Sequence, residues 1–142
     1  MNTLKISLIY MAIVSILFGV GLMAYWLLFP QQVLKIHDGK FKIANKIVEQ
    51  GGKLVYTTTF CKYQNIPVQI TRTMTDGLIF QLPPMTSNLP IGCQTRNVAV
   101  EIPHSLPVGT YTMQSTFQYK MNPLRDFVFT VDSEEFYVVK GK

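Results

Sequence analysis

Lys53-Leu54-Val55-Tyr56-Thr57-Thr58-Thr59-Phe60-Cys61-Lys62-Tyr63 is the stretch on which the fold turns. Leu54, Tyr56, Thr58 and Phe60 fall on one face of an extended chain, and Val55, Thr57, Thr59 and Cys61 on the other. Both faces carry β-branched or aromatic groups, which pack well on a pleated surface. Gly51-Gly52 before it and Asn65 to Pro67 after it are breaks. The segment therefore reads as a strand with both faces suited to a sheet.

Similar segments follow on both sides. Phe41 and Ile43 alternate with Lys40 and Lys42, a half-buried pattern that runs on through Ile47 and Val48. Val68 to Thr73 reads as a strand with Val68 and Ile70 inward. Asp76-Gly77 is a strong turn signal, and alternation resumes at Leu78 to Leu82, making a hairpin. Pro83, Pro84, Ser87, Asn88 and Pro90 build a long connection. Gln94 to Ile102 is the next strand. Later ones run from Tyr111 to Met121, from Phe127 to Val131 and from Phe136 to Val139, with Asn122-Pro123 turning the chain between the first two. The expectation is an all-β domain of about seven strands, with no amphipathic helix.

Leu106-Pro107-Val108-Gly109-Thr110-Tyr111 resembles the tyrosine corner of Greek-key sandwiches, in which a Tyr near the start of a strand bonds back to upstream backbone. The resemblance gives that role to Tyr111 and the tight turn to Gly109. The strand order is similar to that of immunoglobulin-like and fibronectin-type domains, implying an immunoglobulin-like β-sandwich. Two departures stand out. The single Trp, Trp26, lies outside the strands, and a Cys61–Cys93 bridge would join positions other than those of antibody domains. A second resemblance rests on Cys61, Gly92-Cys93, the Leu106 to Tyr111 segment and Asn122-Pro123-Leu124-Arg125. It is to small uncharacterised proteins of tailed phages and their bacterial hosts, and it implies no activity.

Upstream of the strands, Ile6 to Phe29 contains no charged residue. As a helix it is roughly 36 Å long, against a hydrocarbon core of about 30 Å. Tyr10 lies toward one end and Tyr25, Trp26 and Phe29 at the other, as in an aromatic belt, and Pro30 follows. A cleaved signal peptide has a shorter apolar region and a small-x-small site. Here Leu22 stands two positions before Ala24, so an uncleaved anchor fits better. Ser15 and Gly19 form a small-xxx-small pair that would let a second helix approach, as in a homo-oligomer. The organisation read from these patterns is a tail over 1–5, a transmembrane helix over 6–29, a linker over 30–39 and the β-domain over 40–142.

Two observations conflict over the side of the membrane. Only Lys5 precedes the helix, whereas Lys35, Lys40, Lys42 and Lys46 follow it, which favours a cytoplasmic β-domain. Cys61 and Cys93 are the only two cysteines. Bridged, they close a loop of about 33 residues, worth roughly 3–4 kcal/mol in the chain-entropy model. Such a bridge needs an oxidising compartment. Weighing the bridge and the short tail more heavily, we expect a single-pass protein with its β-domain on the extracytoplasmic, periplasmic side.

The residues offer little chemistry. The net charge of +5 comes mostly from Lys, with no Arg-rich helix or RNA-binding aromatic signature, so no nucleic-acid partner is expected. His37-Asp38 and His104-Ser105 are neighbours on the chain, and adjacent residues of an extended chain point apart. No phosphate-cradling, nucleophile-elbow or zinc-protease motif occurs. No catalytic or metal-binding residues and no cofactor are assigned. Asp132, Glu134 and Glu135 match no calcium-loop spacing. The best contact surface is the loop carrying Pro84, Met85 and Asn88, with Arg125 as a further contact residue. The reading is a non-enzymatic, membrane-anchored binding or scaffold protein of the cell envelope, with the lipid bilayer and another envelope or phage-related protein as partners. The alternative is an accessory subunit of a membrane complex that works through its helix.

Overall fold

The computed structural model describes residues 2–28, 32–122 and 125–141. It divides into two compact units, one of residues 1–31 with 121–125 and one of residues 32–120 with 126–142.

The first unit is built on helix α1 (Asn2–Leu28). It begins inside the stretch read as a tail, since nothing at Asn2 to Lys5 breaks a helix. The residues Ile6 to Leu28 make it long and apolar enough to cross a membrane. Apolar side chains surround it, and none of the described ones is buried. Phe29 and Pro30, the expected end of the span, lie outside the described residues. At the C-terminal end two helix carbonyls gain partners: Asn122 Nδ2 donates to Trp26 O at 2.9 Å and Arg125 Nη1 to Leu27 O at 3.2 Å. A helix leaves its last carbonyls without intrahelical partners, so these bonds act as a cap.

The second unit is all β. Eleven strands are present among the described residues: β1 (Leu34–Ile36), β2 (Lys40–Ile43), β3 (Ile47–Glu49), β4 (Lys53–Lys62), β5 (Val68–Thr75), β6 (Ile79–Gln81), β7 (Met85–Ser87), β8 (Gly92–Glu101), β9 (Gly109–Asn122), β10 (Arg125–Ser133) and β11 (Phe136–Val139). This corrects the expectation of about seven. Leu34–Ile36, within the presumed linker, pairs with β4 from Leu34↔Lys62 to Ile36↔Phe60. The run Phe41 to Val48 divides, because β2 pairs with β4 and β10 while β3 pairs in parallel with β11. Met85–Ser87, within the long connection, pairs with β5. The three-residue strands β1 and β7 carry too few alternations of their own to be announced, and the division of β2 from β3 is set by their different partners. Pro123 of the expected turn lies outside the described residues.

The strands form one hydrogen-bonded network, running β1-β4-β2-β10-β9-β11-β3, with β8 added on β4 and β5, β6 and β7 attached through β9. The longest ladder joins β4 to β8, from Lys53↔Glu101 to Lys62↔Gly92. The β5–β9 ladder runs from Gln69↔Gln118 to Thr75↔Thr112. Gly77 turns the chain between β5 and β6 with φ +69°, a conformation that side chains with a Cβ resist.

The core lies between the inward faces of these ladders. Strand β4 contributes Leu54, Tyr56 and Phe60, β5 contributes Val68, Ile70 and Met74, and β9 contributes Tyr111, Met113 and Phe117. Phe41 of β2 ties them together. Its ring is 4.7 Å from that of Tyr56 and 6.4 Å from that of Phe117, centroid to centroid.

Candidate functional site

Strand β5 alternates buried and more exposed positions, with Val68, Ile70, Arg72 and Met74 on the buried side. Strict alternation therefore drives a guanidinium into the interior. Arg72 is only 8% exposed, and its described hydrogen-bond partners are uncharged. Nη1 donates to Met85 Sδ at 2.8 Å and Nη2 to Tyr56 OH at 3.2 Å, while Nε has no partner. Arginine stays protonated in proteins, so a full positive charge is buried here.

Arg72 lines a cavity of about 310 Å³. Its walls are mainly rings and aliphatic groups, among them Phe41, Phe60, Ile70 and Phe117. Thr58 of β4 also lines it, 7% exposed, with Oγ1 unpartnered. Ser115 is paired with Arg72 in the β5–β9 ladder and is fully buried, and its hydroxyl is likewise unpartnered. Arg96 lies opposite Thr58 on β8, exposed, with Nε bonded to Gln94 Oε1 at 2.9 Å. No described residue lining the cavity is acidic. A buried polar group without a hydrogen bond costs about 1–3 kcal/mol, and an unpaired charge costs more. This corner of the interior therefore concentrates unmet demand for a hydrogen-bonding anion.

The contact residues read from the sequence divide between the two units. Met85 belongs to β7, is 44% exposed and lines the cavity together with Ser87 and Leu89. Pro84 and Asn88 are exposed on either side of β7. Arg125 belongs to the helix unit, where it is bonded to Leu27 O. On α1, Tyr10, Ser15, Gly19 and Tyr25 are exposed and Trp26 is partly exposed. Space around the Gly19 Cα is open.

Cys61 and Cys93 are joined by a disulfide, with Cα atoms 3.9 Å apart, and stand opposite each other in the β4–β8 ladder. The bridge thus ties neighbouring strands of one ladder, unlike the inter-sheet bridge of antibody domains. His37 Nε2 lies 3.2 Å from Cys61 Sγ, and Asp38 Oδ2 accepts the Thr59 N–H at 2.7 Å. That neighbouring pair is engaged in holding the chain beside β4. Among the described residues, no three His, Cys, Asp or Glu side chains gather as a metal site. Tyr111 OH donates to Pro107 O at 3.0 Å. Gly109 does not have the left-handed backbone of a tight turn; instead, a Cβ there would sit 2.5 Å from Asp76 Oδ2.

Sequence reasoning stopped the inward face of β5 at Val68 and Ile70 and passed over Arg72. The signal was present, since the alternation that turns Val68 and Ile70 inward reaches Arg72 next.

No protein-family model matches the chain, and no curated protein matches it. Among solved structures, similarity is found to the C-terminal domain of wzt, at 15% identity and a TM-score of 0.47, covering 80% of this chain and 78% of that one. The Pseudomonas fluorescens alkylpurine DNA glycosylase AlkC matches at 12% identity and a TM-score of 0.41, over 75% of this chain. A β-glucosidase from Listeria innocua matches at 15% identity and a TM-score of 0.37, over 76% of this chain. The chain spans 30% of the glycosylase and 16% of the glucosidase. What the fold itself defines is a mostly-β, disulfide-bridged domain with an apolar helix near the N-terminus.

Proposed function

We propose that this is a single-pass, membrane-anchored binding protein of the cell envelope, non-enzymatic, with its β-domain on the extracytoplasmic side. The observation that carries the reading is α1, apolar all round with no described side chain buried. A helix of that kind is solvated by lipid or by other helices. The Cys61–Cys93 disulfide supports an oxidising compartment for the β-domain. It outweighs the Lys residues that follow the helix, because a folded, bridged domain is hard to reconcile with a reducing cytoplasm. The bond from Tyr111 OH to Pro107 O supports reading the β-domain as immunoglobulin-like. The exposed segment from Pro83 to Pro90, braced on β5 through β7, supports contact with a second protein of envelope or phage origin.

The test is a crosslinking pull-down from native membranes, repeated with α1 exchanged for an unrelated spanning helix. A binding module keeps its partner after the exchange. Loss of the partner on exchange gives the role to the helix, as in an accessory subunit or a helix-paired oligomer. Alkylation of both cysteines in unreduced, gently lysed cells would remove the ground for the extracytoplasmic placement.

A further inference from the structure

We infer that the cavity beside Arg72 is a binding site for a small amphiphilic anion: one carboxylate or phosphate on an apolar body, seated with its charge on Arg72 and Thr58. Three independent features of the interior converge on it.

The first is charge without a counter-ion. Arg72 is more than nine-tenths buried, its Nε is unpartnered, and its other nitrogens reach a thioether and a phenol. A guanidinium fork matches the two oxygens of a carboxylate or phosphate. The second is a further unpartnered group in the same lining. Thr58 Oγ1, on β4, can donate to an anion held by Arg72. The third is the apolar majority of the lining. Phe41, Phe60, Ile70 and Phe117 offer no hydrogen bonds, and no described lining residue is acidic. A ligand that satisfies this surface is therefore charged at one end and mainly hydrocarbon elsewhere, with Ser87, Asn97 and Arg96 as the polar groups of β7 and β8 in the lining. A volume of about 310 Å³ stands at the lower end of small-molecule sites. That suits a medium-chain acyl or alkyl group rather than a complete two-chain lipid. Met85 and Arg96, both exposed, line the cavity where it meets solvent, and Arg96 adds positive charge at the approach.

The inference is independent of the protein partner proposed above. Its test uses no partner, and the helix exchange leaves every cavity residue in place.

Full-length protein in phosphatidylcholine nanodiscs is dialysed to equilibrium against labelled decanoate, decyl phosphate or decanol, with protein-free nanodiscs to subtract partition into lipid. The expected result is saturable one-to-one uptake of decanoate or decyl phosphate. Whichever binds tighter assigns the headgroup, and either supports the site. Decanol is expected to bind about tenfold or more weakly, because it brings no charge to the guanidinium. Arg72→Met should weaken anion uptake by about tenfold to a hundredfold, the loss typical of a buried charge-assisted bond. Should that variant fail to fold, Thr58→Val carries the test, with uptake a few-fold weaker and unfolding temperature retained. The inference is overturned if the natural protein takes up neither anion saturably. It is equally overturned if decanol binds as tightly as the anions, or if anion uptake survives unchanged in the folded Arg72→Met or, in its place, Thr58→Val protein.

Discussion

Two positions on one strand, Arg72 and Met74 of β5, open onto very different parts of the interior. Around Met74 the core is closed and satisfied. Met74, Met113, Leu106 and Val138 are fully buried. Tyr111 packs its ring 6.2 Å from Phe80 and 6.3 Å from Phe136, and spends its hydroxyl on Pro107 O. The buried Met113 N–H also finds a partner, donating to Ser133 Oγ at 2.9 Å. Around Arg72 the hydroxyls of Thr58 and Ser115 and the Nε of Arg72 stay unpartnered, and a cavity intervenes. The same alternation built both ends. One end holds the fold, and the other holds demand that the fold does not meet, which is what a binding site requires.

The sharpest way to break this contrast is at the packed end. Tyr111→Ala should cost about 3–5 kcal/mol, the range for emptying a large aromatic site, read by urea unfolding of the full chain in nanodiscs. Tyr111→Phe keeps the ring and loses only the Pro107 bond, so about 1 kcal/mol is expected. Next in size is the bridge. Replacing both Cys61 and Cys93 by Ser should lower stability by roughly 3–4 kcal/mol if constraint of the unfolded chain is its main effect. The loss should vanish when the comparison is made under full reduction.

At the other end the sign should reverse. Arg72→Met removes an unpaired buried charge and leaves an apolar chain of similar length, so stability should hold or rise by up to about 2 kcal/mol without ligand. A loss larger than that of Tyr111→Phe would show that Arg72 is structural, and the contrast between the two ends would disappear.

The smallest effect concerns Lys62, 1% exposed, whose Nζ is unpartnered and whose pKa burial lowers from 10.5. The folded state thus releases this proton at lower pH than the unfolded chain does. Between the lowered value and 10.5 the unfolded chain holds more protons, so stability rises with pH. Above about 10 the phenols of Tyr111 and Tyr119, raised mainly by burial, act in the opposite direction. Lys62→Met should therefore be more stable than the natural protein at neutral pH. The gap in unfolding temperature should narrow as pH approaches 10, and a gap independent of pH would show that Lys62 carries no such penalty.

Local patterns carried much of this architecture. The Lys53 to Lys62 strand is visible because ten residues give several full alternations. The apolar helix is visible because nothing charged interrupts it. The short strands β1 and β7 were not legible, and β3 was read as a continuation of β2, since three residues alternate too little and each exists through its partner: β4, β5 and β11. Of the site, the sequence marked Met85 as a contact residue and left Arg72 unassigned.

The amino-acid order alone determined the apolar helix, the all-β character of the rest and the pairing of the only two cysteines, because these follow from periodicity, hydropathy and count. Tertiary structure alone decided that Thr58 and Arg72, distant in the chain, share one cavity with no acidic residue among its described lining. Register and ladder partners set that meeting, and a period-two pattern names the face a side chain occupies without naming what stands across from it.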